Sequence, residues 1–486
     1  MAFIYDQQFE HLLRRAGFGA RPDELDAYRR MAFGEAVDTL IHYEQIADDV
    51  DSKISQAGYA QIAAPGRVFS PNSVIADAQQ RWLFRMLHTD RPLQEKMTLF
   101  WHNHFATGYT KLAGAAGVGP AEATRYMASK PSDDAVGVRG QIEMLRDNAL
   151  GNFQSLLVEI AKDTAMLIWL DGRTNTRAMP QENFGREIME LFTMGVGHYT
   201  ESDVYAAARV FTGWNLTRTG GAAPALTFVY NAGQHDTNAK TFSFPIYPDG
   251  SATIGARSAA NGMQDGLDFI AALARNPNTA NYLARKLYRF FISEFGEIDG
   301  EFVNRVSATY FQSGYNMRAV VREVLMSRQF WDERNRFTRY SWPAEFTIRV
   351  IKDVGWQGLS LNDARIALGN MGQVLFDPPD VAGWEAGQSW FSTGAMLSRM
   401  NYASALAANQ KFALGRAAAD HAGSPNELLT WVLDSLKTAP LSSDVTADLL
   451  DYLRANGPWT GSTTQVQNKV AGAVHLVAGT PEYQFV

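Results

Sequence analysis

The 486-residue chain contains no cysteine. That excludes disulfides, thiolate nucleophiles, zinc ribbons and iron–sulfur clusters, and leaves histidine and carboxylate chemistry open. Positive charge is not in excess either: 44 Lys and Arg stand against 51 Asp and Glu, a net charge of -7. Such a balance offers no general attraction to phosphate backbones or anionic membranes, so neither nucleic acid nor membrane is expected as a partner. No segment approaches the ~20 apolar residues needed to cross a bilayer. The opening MAFIYDQQFEHLLRRAGFG lacks the apolar run of a secretory signal. The expectation is a soluble, most simply cytoplasmic chain, although a trimmed exported product with a new start methionine would look the same. Also missing, in any plausible context, are GxGxxG, GxxxxGK[ST], HExxH and GxSxG, so nucleotide-dependent chemistry and the common hydrolase triads lack support.

What is present is apolar residue in quantity, 46% of the chain, enough for a large core. Helical periodicity dominates. FEHLLRRAG, PDELDAYRRMAFGEAVDTLIHYEQIADDV, SVIADAQQRWLFRMLHTD and RPLQEKMTLFWHNHFATG read as helices, followed by a small-residue stretch, TKLAGAAGVGPAEA, expected to be a mobile loop. Helical patterns cover 140–163 and 180–194. Between 216 and 255 the character changes to TFVYNAG and KTFSFPIY, which predicts a short hairpin-like insertion. Helices then resume to the end, interrupted by FDPPDVAGWEAGQSW. The expected fold is mainly α: a large helical globular domain with a small β-hairpin-like insertion. It divides into an N-terminal helical part (1–215), the insertion (216–260) and a C-terminal helical part (261–486) packing on the first as one compact unit.

Two helices carry ionisable groups where apolar ones are the rule. On a helical wheel Leu93, Met97, Phe100 and His104 share a narrow arc, so His104 faces the core, while His102 lies roughly 160° away on the side of Glu95. In PQENFGREIMELFTMGVGHYTESDV, Pro180 opens a helix that Gly195 and Gly197 end, and Phe184, Ile188 and Leu191 form its buried arc. Glu187 falls beside that arc without a basic partner at helical spacing. It faces Glu190 at i, i+3, with Cβ atoms about 5–6 Å apart. Arg186 has Glu182 and Glu190 at four-residue spacing, consistent with ordinary intrahelical ion pairs. A like-charge carboxylate pair can hold one carboxyl protonated as a general acid beside an ionised one, or bind a divalent cation. Equally, Glu187 could meet an arginine from another helix, and His104 could be a core histidine bonded to a carbonyl. Thr200 and Asp203 fit a capping box, with His198 and Glu201 left free to face the same cavity. In QHDTNAK, His235 and Asp236 could orient an imidazole and Lys240 hold an anionic group. Trp384 and Trp390 stiffen a loop suited to covering a pocket or stacking on a sugar, or else pin it to the body. Arg399 could reach a carboxylate or secure its helix.

Taken together, HLLRRAGFGA, KMTLFWHNHFAT, the run from DTAMLIWLDG to FTGWNL, HDTNAKTF, LARKLYRFF and FDPPDVAGWEAGQSWFSTGAMLSRMNYA resemble the bacterial family known only as domain of unknown function 1800. The resemblance spans most of the chain in the family's order. It implies that His104 is the characteristic histidine of WHNHF. It also implies that Glu182, Asn183, Arg186, Glu187, Glu190, His235, Asp236 and Arg399 belong to the signature, with Gln181 replacing an asparagine. It names no reaction. Family members are often exported with leader segments, from which this chain departs.

Three functions follow as expectations. The first is a hydrolase-like enzyme with Glu187, Glu190, His104 and Asp236 as its catalytic group. In it Arg186, Asn183, Glu182, His235, Lys240, Trp384, Trp390 and Arg399 contact a small-molecule or, as 11 tryptophans mildly favour, a glycan substrate. Two carboxylates on one helix cannot oppose each other across a bond, so Asp236 or Glu201 is considered as the facing acid. The second is a metal-dependent enzyme whose divalent cation is held by Glu187, Glu190 and His104, with His235 able to complete the shell. The third is a non-enzymatic helical binding or assembly protein in which the polar cluster is structural.

Overall fold

The computed structural model describes residues 5–486. Helices account for 58% of the chain and strands for 5%, so the fold is mainly α, as the periodicity requires. One connected apolar core runs from Phe9 to Tyr483 and takes in Trp214 and Phe242 of the strand-bearing segment.

Local chemistry sets where the helices begin and end, and it corrects several expected boundaries. The long pattern after Pro22 is two helices, Pro22–Arg29 and Phe33–Ile41. The second starts because the Glu35 carboxylate reaches back to the Ala32 amide at 3.3 Å. TKLAGAAGVGPAEA is not a loop throughout. Tyr109–Ala113 is helical, its first amide bonded to the Phe376 carbonyl at 2.9 Å, and Pro120 opens the Pro120–Ala128 helix. The 140–163 pattern breaks into Gln141–Asp147 and Phe153–Lys162. At the break the amides of Phe153 and Met317 bond to Tyr315 and Gly151 carbonyls across the two halves, and Asn152 caps the second helix through Ser155 N at 3.1 Å.

The strand-bearing segment holds two antiparallel pairs. β1 (Trp214–Arg218) pairs with β2 (Leu226–Tyr230), in register from Trp214 opposite Tyr230 to Arg218 opposite Leu226. β3 (Lys240–Thr241) pairs with β4 (Thr253–Ile254). The first strand begins two residues before the expected boundary because Trp214 is itself a core residue. Its indole lies so close to Gly266 that a Cβ there would sit 2.4 Å from the ring, which only glycine permits.

The Pro92–His104 helix is the element on which the candidate site depends. It is buried on all sides rather than along one stripe. Its polar side chains are therefore matched inside the protein. Glu95 accepts from Arg146 Nε at 2.5 Å and Trp82 Nε1 at 3.1 Å, Lys96 pairs with Glu345, and His102 Nε2 accepts the Phe376 amide at 3.1 Å. Burial holds His102 neutral, its pKa pushed down to about 3.

Candidate functional site

Glu182–Glu190 is a short helix whose C-terminal turn is closed by bonds from the Phe192 and Met194 amides to the Glu187 and Met189 carbonyls. Gly195 and Gly197 then take left-handed conformations, φ 84° and 85°. The chain re-enters a helix at Glu201. There Thr200 Oγ1 accepts the Asp203 amide at 3.3 Å and the Asp203 carboxylate accepts the Thr200 amide at 2.8 Å, the capping box expected from the sequence.

His104 meets this turn from the core side. Its Nε2–H donates to the Phe192 carbonyl at 3.0 Å, which fixes the tautomer, while Nδ1 finds no partner. Phe100, Trp101, Phe105, Phe192 and Tyr282 surround the ring at centroid distances of 4.5–6.3 Å. Burial first, and then the nearby charge of Lys286, holds the imidazole well below its ordinary pKa and therefore neutral.

Glu187 is half-buried and makes no ion pair or hydrogen bond among the described residues. No arginine from another helix answers it. Burial, then the charge of Glu190, and to a smaller extent Asp380, push its carboxyl up to about 7, against a lowering by Arg186. Glu190 is held differently: Tyr199 OH donates to its Oε2. The expected Arg186–Glu190 pair does not form. Arg186 grips Glu201 through both terminal nitrogens at 2.8 Å and reaches Glu182 only at 3.6 Å, so Glu201 is engaged and does not face the cavity. The bidentate geometry keeps Arg186 above its ordinary pKa. Asn183 donates to Asp171 Oδ2 at 3.1 Å at the surface, and His198 is exposed.

Sequence reasoning missed four groups here. Tyr199 is the partner of Glu190. Tyr282 and Lys286, four residues apart on the Pro277–Phe291 helix, lie against the turn: a Cβ at Gly195 would be 3.2 Å from the Tyr282 ring. Lys286 Nζ sits 5.4 Å from the Tyr282 centroid and has no carboxylate partner among the described residues; burial pushes it down to about 8. Burial, followed by the charge of Glu190, pushes the Tyr282 phenol up to about 12. Asp380 comes from the FDPPD loop, its Oδ1 accepting the Ala382 amide at 2.8 Å. LARKLYRFF did supply Lys286 and Tyr282's helix as a family stretch, but nothing in its spacing distinguishes Lys286 from a solvated lysine.

The remaining candidates are internal. His235 is fully buried, with Nδ1 bonded to the Thr212 carbonyl at 2.8 Å and Nε2 to Asp265 at 3.2 Å. Lys240, also fully buried, pairs with the same Asp265 oxygen at 2.5 Å, and Arg257 takes the other at 3.1 Å. These side chains are spent on one another and offer no free group to a substrate. Asp236 accepts from Arg209 at 2.8 and 3.2 Å; despite the upward push of burial, those bonds hold it down at about 2. It is therefore not a facing acid for Glu187. Trp384 and Trp390 are each 4% exposed and face inward, so the loop is pinned by its tryptophans and presents no stacking surface. Arg399 is fully buried, donating to Gln484 Oε1 at 3.1 Å and the Ser341 carbonyl at 2.8 Å, and burial pushes it down to about 9. It secures its helix rather than reaching a carboxylate at the site.

Among the described residues, no three His, Asp or Glu side chains come together in a way that could hold a metal ion, so Glu187, Glu190 and His104 do not form a ligand set. Nor is any described helix long and apolar enough to cross a membrane. The group assembled around the 191–199 turn thus consists of an unpaired carboxyl, a phenol-bound carboxylate, a free phenol and an unpaired ammonium over a neutral buried imidazole.

No curated protein and no solved structure matches the chain. The model of the family described as "Protein of unknown function (DUF1800)" matches residues 11–485, nearly the whole length, and the chain therefore belongs to that family.

Proposed function

We propose that this protein is a hydrolase-like enzyme whose acid/base group is Glu187, with Glu190 as the ionised carboxylate beside it. The observation that carries the reading is a half-buried glutamate with no partner and a pKa near 7. Buried polar groups are nearly always satisfied, and a group poised near the working pH is what proton transfer to a leaving atom needs. Tyr199 OH donates to Glu190 Oε2, so one carboxyl of the helix has a hydrogen-bond donor and the other has none among the described residues. Both project from one helix and approach a substrate from the same side. A facing acid must come from another segment, and the charge of Asp380, which raises the Glu187 pKa, supports Asp380 in that role. His104 positions the turn through the Phe192 carbonyl and moves no proton while burial keeps it neutral. Glycosidic bonds are the favoured substrate class, because a protonated acid beside ionised carboxylates suits an oxocarbenium-like transition state.

The test is release of reducing ends from a panel of soluble glycans by the full chain, compared with Glu187→Gln and Glu190→Gln. Loss of about 10²–10⁴-fold in Glu187→Gln is expected. The wild-type rate should decline as pH rises through about 7, where the acid loses its proton. Undiminished turnover by Glu187→Gln removes Glu187 from the chemistry. Turnover of esters or amides but no glycan, abolished by the same substitution, keeps the acid and changes the substrate.

A further inference from the structure

Away from Glu187, residues 55–62 and the 354–358 turn enclose a groove of about 780 Å³, a size typical of ligand sites. A parallel bridge holds its walls together: the Gln61 amide bonds to the Leu359 carbonyl at 3.0 Å and the Leu361 amide to the Gln61 carbonyl at 2.8 Å. Trp356 Nε1 ties the two segments again through the Gly58 carbonyl at 2.7 Å. The walls are therefore preformed. One lining residue, Ser55, is held at φ 69°, a conformation unfavourable for a residue with a Cβ.

The chemistry of the lining is one-sided. Among the described residues that line the groove, none is Asp, Glu, Lys, Arg or His. Its polar groups are glutamine amides, the hydroxyls of Ser55 and Tyr59, the Trp356 indole and backbone. Gln61 and Gln357 are exposed and their side chains make no hydrogen bond among the described residues. Gln410 is 2% exposed; its Nε2 donates to the Gln357 carbonyl at 2.6 Å, but its Oε1 accepts from nothing. Gln410 thus presents a fixed amide whose oxygen accepts no hydrogen bond among the described residues. Two partly exposed rings, Tyr59 and Trp356, complete the walls, braced edge-on against the buried His88 at 5.0 and 5.1 Å. Its Nε2 accepts the Ala60 amide at 3.1 Å.

We infer that this groove binds a neutral oligosaccharide. Planar amides match pairs of adjacent hydroxyls and aromatic rings accept the C–H faces of sugars, while the cations at the two rings, Arg21 at 5.3 Å from Trp356 and Lys53 at 6.0 Å from Tyr59, lie outside the lining. None of its lining residues belongs to the group around Glu187, so the groove is a second site whose existence does not depend on the chemistry proposed there. In an enzyme acting on a polymer it would hold the chain while the bond is cut elsewhere.

Binding is measured on the full chain by isothermal titration calorimetry and saturation-transfer NMR with cellohexaose, maltohexaose, chitohexaose, hexagalacturonate and an uncharged hexapeptide. At least one neutral hexasaccharide is expected to bind, and more tightly than hexagalacturonate or the peptide. Gln61→Ala, a change of an exposed and unpartnered side chain, should weaken it about fivefold, the worth of one hydrogen bond. Trp356→Phe, which keeps an aromatic ring but drops the Gly58 tie, should weaken it further. Glu187→Gln should leave it intact. The inference is overturned if no neutral saccharide binds, if the peptide or the uronate binds best, if both groove variants bind like wild type, or if Glu187→Gln abolishes binding and so places the sugar at the other site.

Discussion

Replacing Glu187 with glutamine should make the protein more stable, and only above mildly acidic pH. The folded carboxyl holds its proton up to about pH 7, whereas in the unfolded chain it releases it near its ordinary 4.5. Between those values the unfolded state binds fewer protons than the folded state, so this residue's contribution to stability is fully present below 4.5 and falls as pH rises, reaching its minimum above 7. At 1.36 kcal/mol per pH unit the gap corresponds to about 3.4 kcal/mol. Glu187 is only half-buried, and solvent screening reduces this to about 1–2 kcal/mol. Glutamine is isosteric with the protonated acid and never ionises. The two proteins should therefore unfold alike at pH 4.5, and by pH 8 the variant should be ahead by that amount. With a chain of this length the unfolding entropy is about 1 kcal/mol/K, so melting temperature would move only ~1–2 °C. Urea unfolding followed by circular dichroism at pH 4.5, 6, 7 and 8 is the better assay, and without cysteine there is no thiol reshuffling to confuse it. A stability difference that does not change with pH, or a variant weaker at pH 8, would mean that Glu187 has an ion-pair partner and would refute the reasoning.

Three further outcomes can be checked by the same unfolding measurements. Lys286→Met should stabilise the protein at pH 7 by about 1–2 kcal/mol, because burial without a carboxylate pushes the ammonium down to about 8 from 10.5; the gain should fade as pH rises through that interval, where the folded lysine has already lost its charge. Glu345→Gln should destabilise by about 3–5 kcal/mol, since this carboxylate, held down at about 2 by Arg339 and Lys96 against the upward push of burial, is what neutralises both buried cations. At His104, glutamine should keep a donor for the Phe192 carbonyl and stay within about 1 kcal/mol of wild type, whereas His104→Phe strands that carbonyl at about 1–3 kcal/mol; equal losses in both would mean the bond is not what the histidine supplies.

Helical class, the inward turn of His104 and the capping box at Thr200 were all legible in the sequence, because each depends on residues within one or two turns of one another. Where the reading failed, the deciding partner lay far along the chain. The break at 148–152 exists because Gly151 bonds to Met317 and Phe153 to Tyr315, and the helix at Tyr109 because Phe376 accepts its amide. The wheel of the Pro92–His104 helix correctly turned His104 inward. It could not show that the opposite face is also buried, since Glu95, Lys96 and His102 look like solvent residues until Arg146, Glu345 and Phe376 are brought to them.

The same division explains the site. Local spacing could say that Glu187 lacks a basic partner at helical spacing, and having no ion pair among the described residues is still its defining property in three dimensions. Spacing could not say which other ionisable residues were already committed. His235, Asp236, Lys240 and Arg399 each carry suitable chemistry, yet each is matched by a group 27 to 85 residues distant, or 25 to 30 in the case of the Asp265 cluster. Matched groups stabilise the fold and are unavailable for chemistry. An unmatched carboxyl does the reverse: it is expected to lower the protein's stability at neutral pH, by about 1–2 kcal/mol here. On the proposed reading, a residue that weakens the fold where a neutral isostere would not is kept for its proton, and the stability difference between Glu187 and glutamine measures the cost of keeping it.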